Sequence, residues 1–317
     1  MVLRQALREA LAHAGLPFVS LEPVRPGGSV WRAVGHEGAW SVRWVPRSEA
    51  TALAATAVWL ERLAGAGVIA PRPWRPPGAA AHLIDIDDGV ALVTRWRRGT
   101  PVLELGWDVA RADALGTLLA RTHLLAVGAP LAGARRYDGT WARDAWPRLA
   151  IERAVPTATP DECATVRSGL ARAAEVVDAA WHGGPGGPVV MAHADVHAGN
   201  VLEVERVGER VELALIDVDR AGLAPVALDL AFALLEHEDA NAWALLRGYR
   251  RWRALDEGFE RSTGAFRALA MADNLAFLGA FEHERPYVAA VWPGLVAACA
   301  ALATARAGAP ARAGGVG

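Results

Sequence analysis

The chain has 317 residues, 53% of them apolar, with a formal net charge of −2 at pH 7. That length and apolar content can bury one large domain or two lobes, which excludes a disordered or fibrous chain. With charge near balance and no basic run, nothing supplies the electrostatic footprint of a nucleic-acid binder. The two cysteines, Cys163 and Cys299, have no metal-binding or redox spacing and suit a reduced, cytoplasmic compartment. No lysine occurs, so all 33 permanently positive side chains are arginine, and any task that usually falls to lysine must be done otherwise.

From Met1 to Gly15 the apolar residues Leu3, Ala6, Leu7, Ala10 and Leu11 share a helical face, but Arg4, Arg8 and Glu9 interrupt it too often for a secretory signal. β-like runs follow at Ser29 to Val34 and Ala39 to Val45, with Gly27-Gly28 and Gly35 to Gly38 as turn signals. A helix is expected from Glu49 to Ala64, then strands at Ala81 to Ile86 and Val90 to Trp96 across Asp88-Gly89. From Trp107 onward the periodicity is helical, with a further helix between Pro160 and Trp181. One β island interrupts this half: Val189 to Met191, a polar loop, Val201 to Val204, a turn at Gly208, and Val211 to Val218. Helical patterns resume from Val226 to about Ala305, and the Gly/Ala-rich end from Ala307 is expected to fray. Within them Pro286 to Ala305 carries no acidic or basic residue, yet Pro293 and Gly294 interrupt it, so a buried helix is expected rather than a membrane span.

The β island concentrates the chemistry. Its loop reads His193-Ala194-Asp195-Val196-His197-Ala198-Gly199-Asn200, and the return strand delivers Asp217-Val218-Asp219. A single loop aspartate is ordinarily a turn or cap residue. A carboxylate, an amide five residues on and a carboxylate at the end of the return strand form the set phosphoryl transfer needs: Asp195 to orient the attacking hydroxyl, Asn200 and Asp217 as hard oxygen donors for Mg2+.

This pattern resembles the phosphotransferase signature of the aminoglycoside phosphotransferase and choline kinase superfamily. Leu118 to His123, Asp229-Leu230-Ala231 and Gly65 to Pro73 extend the likeness over roughly residues 20 to 285. The resemblance implies an α+β, bilobal protein-kinase-like fold, with a small antiparallel β lobe in residues 1–95 binding the nucleotide and a larger, mainly α lobe in 96–317 carrying catalysis and substrate. It implies ATP, with GTP left open, Mg2+ and transfer to the hydroxyl of a small molecule; charge balance and hydropathy separately speak for no nucleic-acid or membrane partner. It makes Asp195 the catalytic aspartate, Asn200 and Asp217 the metal ligands, and His193, Asp219 and Asp229 supporting residues, Asp229 also reading as a helix N-cap.

Two departures from the family pattern, Ala194 for glycine and Ala198 for proline, are small. The family's phosphate-pairing lysine is absent, and the strand Trp40 to Trp44 offers Arg43 in its place. The glutamate that would orient this residue is unassigned: Glu49 opens the helix, whereas the matching position is nearer Thr56. Gly28 and Ser29 are candidates for a phosphate cover, although two glycines also suit an ordinary turn. Thr94, Arg95 and Trp96 would form the hinge. Glu236, Glu238, Asp239 and Asp273 are candidates for binding a cationic substrate, or form a solvated face. Two alternatives remain: a nucleotide-binding pseudokinase, favoured by the missing lysine, and a metal-dependent hydrolase built on His193 and His197.

Overall fold

In the computed structural model, the described residues are 2–25, 28–125, 131–208 and 210–304. The first part of the chain runs α1 (Val2–His13), β1 (Ser20–Pro23), β2 (Val30–Gly35), β3 (Gly38–Pro46), α2 (Ala50–Gly65), β4 (Leu83–Ile86), β5 (Gly89–Arg95), β6 (Thr100–Pro101), α3 (Val102–Leu105) and α4 (Val109–Leu124). Then come β7 (Arg135–Arg136), α5 (Gly139–Arg143), α6 (Ala145–Leu149), α7 (Ile151–Ala154), α8 (Pro160–Trp181), β8 (Val189–Ala192), β9 (Val201–Val207), β10 (Arg210–Leu215) and β11 (Gly222–Pro225). The chain closes with α9 (Val226–Leu234), α10 (Asp239–Arg250), α11 (Glu257–Leu278) and α12 (Arg285–Thr304). The expected turn residue Gly27 and the expected frayed end from Ala307 lie outside the described residues.

The chain divides into two compact units. The first comprises Met1–Arg136, Val190–Leu223 and Glu236–Ala254; the second comprises Tyr137–Val189, Ala224–Leu235 and Leu255–Gly317.

In the first unit an antiparallel five-stranded sheet has the order β1-β2-β3-β5-β4. Strand alternation sends Trp31, Ala33, Trp40, Val42, Ala91 and Val93 to one face, where Leu7 and Leu11 of α1 bury completely against them. The opposite face therefore receives Val30, Arg32, Ser41, Arg43 and Thr94, with Arg32, Ser41 and Thr94 aligned across three strands. Arg43 reaches that face because β3 is in phase with its neighbours; a one-residue slip would turn it into the α1 core. Glu49 lies in a 3-10 turn (Arg47–Glu49) before α2, not in the helix itself. In the same unit α4 and α10 pack backbone to backbone: a Cβ on Gly116 would come within 1.9 Å of the Leu245 carbonyl oxygen, and one on Gly248 within 2.1 Å of that of Asp113. Asp113 then fixes the pair by accepting from Arg247 (3.0 Å) and from Arg251.

The second unit is helical. α8 starts on a capping box between Thr159 and Glu162 with Pro160 at its first position, the three local devices that fix a helix start. α12 packs against α8, where Cys299 fits over Gly169. The stretch Glu282–Thr304 is long and apolar enough to cross a membrane by length and composition alone, but only 22% of its most apolar window is buried. The expectation of a buried core helix is thus corrected: one stripe, Val288, Trp292, Leu295 and Cys299, is covered, and Pro293 sits within the helix without ending it. Glu282 and Glu284, expected on a helix, occupy a 3-10 turn.

Asp229 is likewise not an N-cap. Pro225 holds that position, and Asp229 lies wholly buried within the first turn of α9. Proline's fixed φ sets the helix start earlier than the carboxylate suggested.

Candidate active site

β8 ends at Ala192, and the chain turns sharply at Ala194, whose φ of +58° is a left-handed conformation that a Cβ disfavours. The turn is braced on one side by His193, fully buried, whose Nε2 lies 2.9 Å from the Ile216 carbonyl oxygen. On the other side Asn200 donates from Nδ2 to both the backbone oxygen (3.0 Å) and Oδ2 (3.1 Å) of Asp195. Between them the 3-10 turn Ala198–Asn200 starts at His197, whose Nδ1 accepts the Gly199 N–H at 3.1 Å.

The strain at Ala194 permits a prediction. Relaxing a left-handed alanine is worth roughly 1–2 kcal/mol, but its methyl is fully buried and contributes about 0.8 kcal/mol. Ala194→Gly should therefore leave stability within about 1 kcal/mol of the parent. Ala194→Val, branched at Cβ in the same conformation, should cost about 3 kcal/mol or more. Chemical denaturation of both variants checks this; a severe loss in the glycine variant would contradict the backbone geometry.

β9 and β10 bring the second carboxylate pair to the same place. Leu215 pairs with Val201, and the Ile216 N–H donates to the Asn200 carbonyl oxygen at 2.9 Å, so the segment after β10 begins beside Asn200. β10 ends at Leu215, three residues short of the expected Val218, because Asp217 leaves the strand in a left-handed conformation (φ +57°). Asp217 then precedes, and Asp219 lies within, the 3-10 turn Val218–Arg220. Burial and the neighbouring Asp217 carboxylate push the Asp219 carboxyl well above the usual carboxylate range, against the opposing pull of Arg43. Two carboxylates this close, beside the side-chain amide of Asn200, form a hard oxygen donor set that a divalent cation suits.

Arg43 forms an ion pair with Asp219, whereas Glu49 is paired with Arg135 and the Thr56 hydroxyl donates to the Ala52 carbonyl oxygen of its own helix (3.1 Å). Neither helix candidate orients Arg43; the turn after β10 does. Gly28 and Ser29 lie at the same end of the sheet, where the Ser29 carbonyl oxygen accepts the Trp44 N–H at 2.9 Å. At the other end of β3, about 13 Å away by strand rise, a cavity of about 1120 Å³ is lined by Arg32, Val34, Ala39, Trp96, Arg97 and Arg98 together with Val204, Glu205 and Glu212. The Trp96 N–H donates to the Ala39 carbonyl oxygen (2.9 Å), and its ring lies under the Arg32 guanidinium, 5.0 Å from the centroid. Arg95 also lines the cavity, and its guanidinium lies over the Trp40 ring, 4.9 Å from the centroid.

The acidic candidates separate. Glu236 Oε2 accepts the Ala198 N–H (2.6 Å) and the Trp107 indole N–H (3.2 Å). Glu238 and Asp239 are exposed at the start of α10. Asp273, in the second unit with Asp229, is buried and lies 3.6 Å from Arg148. Arg220 escaped the sequence reading although it directly follows Asp219; its Nη1 lies 3.4 Å from Asp195 Oδ1. Its position in a lysine-free chain, next to an acidic motif, was the available signal. Among the described residues no group of three or more His, Cys, Asp or Glu is arranged to hold a metal ion; His193 is engaged with the Ile216 carbonyl oxygen and His197 with the Gly199 N–H.

The family model described as "Phosphotransferase enzyme family" matches residues 21–264. The chain belongs to this family. The chain is thus a phosphotransferase, and its α+β fold is the protein-kinase-like one seen in aminoglycoside phosphotransferase and choline kinase structures. It is similar to a microcompartment-associated aminopropanol kinase at 18% identity, with 94% of this chain and 96% of that one covered and a TM-score of 0.72. A choline kinase from Streptococcus pneumoniae gives 15%, 94% and 99%, and 0.64. An aminoglycoside phosphotransferase from Streptomyces rimosus, in complex with ADP and streptomycin, gives 21%, 87% and 99%, and 0.58. At these identities the likeness concerns the fold. No curated protein matches the phosphotransferase by sequence.

Proposed function

We propose that the phosphotransferase moves the γ-phosphoryl group of ATP to a hydroxyl of a small, amine-bearing molecule in the cytoplasm, with residues 1–95 serving the nucleotide and 96–317 serving catalysis and the acceptor. The observation that carries this reading is the bond from Asn200 to Asp195 and the bond from Ile216 to Asn200, which bring Asp195, Asn200 and the neighbouring Asp217 to one end of the β9–β10 hairpin.

Asp195 orients the acceptor hydroxyl and takes its proton, its carboxylate held by Asn200 and Arg220. Asn200 and Asp217 would hold magnesium, which would offset the charge that develops on the phosphates during transfer. The base of the nucleotide belongs in the hinge cavity beside Trp96, and its phosphates toward Gly28, Ser29 and Arg43, a separation along β3 that an extended nucleoside triphosphate spans. Arg43 would exchange Asp219 for the phosphates, the planar guanidinium doing the work of the absent lysine. Arg43→Ala should raise the KM for ATP about tenfold or more and lower kcat, while Arg43→Lys should restore part of the loss. An unchanged nucleotide profile in both variants would assign the role to another arginine.

An amine on the acceptor is favoured by the exposed carboxylates Glu238 and Asp239. It accords with the aminopropanol, choline and streptomycin named for the similar structures. The test is ADP release from MgATP or MgGTP against a panel of aminoglycosides, choline-like amino alcohols, homoserine and simple sugars. Turnover with amine-bearing acceptors is expected. Turnover confined to neutral sugars would overturn the amine assignment.

A further inference from the structure

We propose that Glu236 is a positioning residue for phosphoryl transfer: its carboxylate holds the backbone of the catalytic loop at Ala198 and ties that loop to Trp107. The proposal rests on the reading of Asp195 and Asn200 given above.

Ala198 is buried and is the first residue of the 3-10 turn that ends in Asn200. The first N–H groups of any such turn have no partner within it. Here the Ala198 N–H donates to Glu236 Oε2 at 2.6 Å, short for an N–H···O bond and in keeping with an ionised acceptor. The same oxygen accepts the Trp107 indole N–H at 3.2 Å, and the Trp107 ring packs against His237 with centroids 4.4 Å apart. A residue 38 positions along the chain thus fixes the start of the turn whose end, Asn200, donates to Asp195. Loss of the carboxylate would leave a buried N–H without its acceptor and loosen the turn between the base and the metal-side amide. Misplacements of this kind act on the reacting geometry rather than on nucleotide affinity.

Local geometry also provides the decisive variant. Proline has no N–H, and the first position of a helical turn accepts its ring. The preceding His197 is extended (φ −146°, ψ 166°), the conformation a following proline requires. Ala198→Pro therefore deletes the donor while keeping the backbone path, and exposed Glu236 can rotate away.

The experiment measures steady-state ADP release with MgATP and the best acceptor of the panel for the parent, Glu236→Ala, Glu236→Gln, Ala198→Pro and the double variant Glu236→Ala/Ala198→Pro, with amide hydrogen exchange across 193–200. Glu236→Ala should lower kcat about tenfold with the KM for ATP within about twofold. Glu236→Gln, which keeps an acceptor oxygen, should recover to within about threefold of the parent. Exchange at the Ala198 amide should accelerate in Glu236→Ala. The double variant should be no worse than Ala198→Pro alone, because the two changes remove one bond. Independent, multiplying losses, or unchanged exchange at Ala198 in Glu236→Ala, would overturn the proposal, as would a loss of thermal stability with kcat unchanged. If the parent released no ADP with any acceptor, the kinase reading would fall, and the exchange result would decide the Glu236 bond by itself.

Discussion

Asp195→Asn is expected to lower phosphoryl transfer by about a thousandfold or more while leaving the affinity for MgATP within about threefold. The substitution keeps the shape that Asn200 and Arg220 hold, through contacts at 3.1 and 3.4 Å, and removes only the negative charge and the ability to take a proton. A positioned base contributes about 10²–10⁴-fold, and its loss also leaves Arg220 facing a neutral group where it now faces a carboxylate. None of this touches the Arg43 end of the sheet, so nucleotide binding should survive. Single-turnover ADP release with calorimetry of MgATP binding separates the two quantities. Turnover within about tenfold of the parent would take Asp195 out of the reaction.

Asp217→Asn should weaken magnesium-dependent nucleotide binding by at least about tenfold. Asparagine is the appropriate replacement because Asp217 has φ +57°, and asparagine tolerates left-handed backbone where alanine would add about 1–2 kcal/mol of strain. The effect then reports the lost charge. Binding measured with magnesium and with chelator should converge in the variant, whereas the parent should keep a wide gap. Equal magnesium dependence in both would mean that Asp217 is not the ligand.

The core of the site was legible in the sequence because it is local. Asp195, Asn200 and Asp217 fall within one strand, loop and hairpin, and hydrophobic alternation with a turn at Gly208 was enough to fold that segment on paper. What escaped depends on pairings across long separations. The partner of Arg43 is Asp219, far along the chain, while Glu49, the near candidate, is taken by Arg135. Charge alone placed Glu236 among the substrate carboxylates; its bond to a backbone N–H 38 residues away could not be read from residue type. Asp229 was misplaced as a cap for a local reason, since Pro225 starts the helix first. The strand over Val211 to Val218 was drawn too long because an apolar run continues through Ile216, and the left-handed turn at Asp217 carries no glycine to announce it.

The most direct test follows the phosphorus. With γ-labelled ATP, magnesium and the amine-bearing acceptor panel, label should pass to the acceptor hydroxyl in amounts equal to the ADP formed, and chelation of magnesium or Asp195→Asn should stop it. Label appearing only as inorganic phosphate, or transfer that persists in Asp195→Asn, would contradict phosphoryl transfer directed by Asp195.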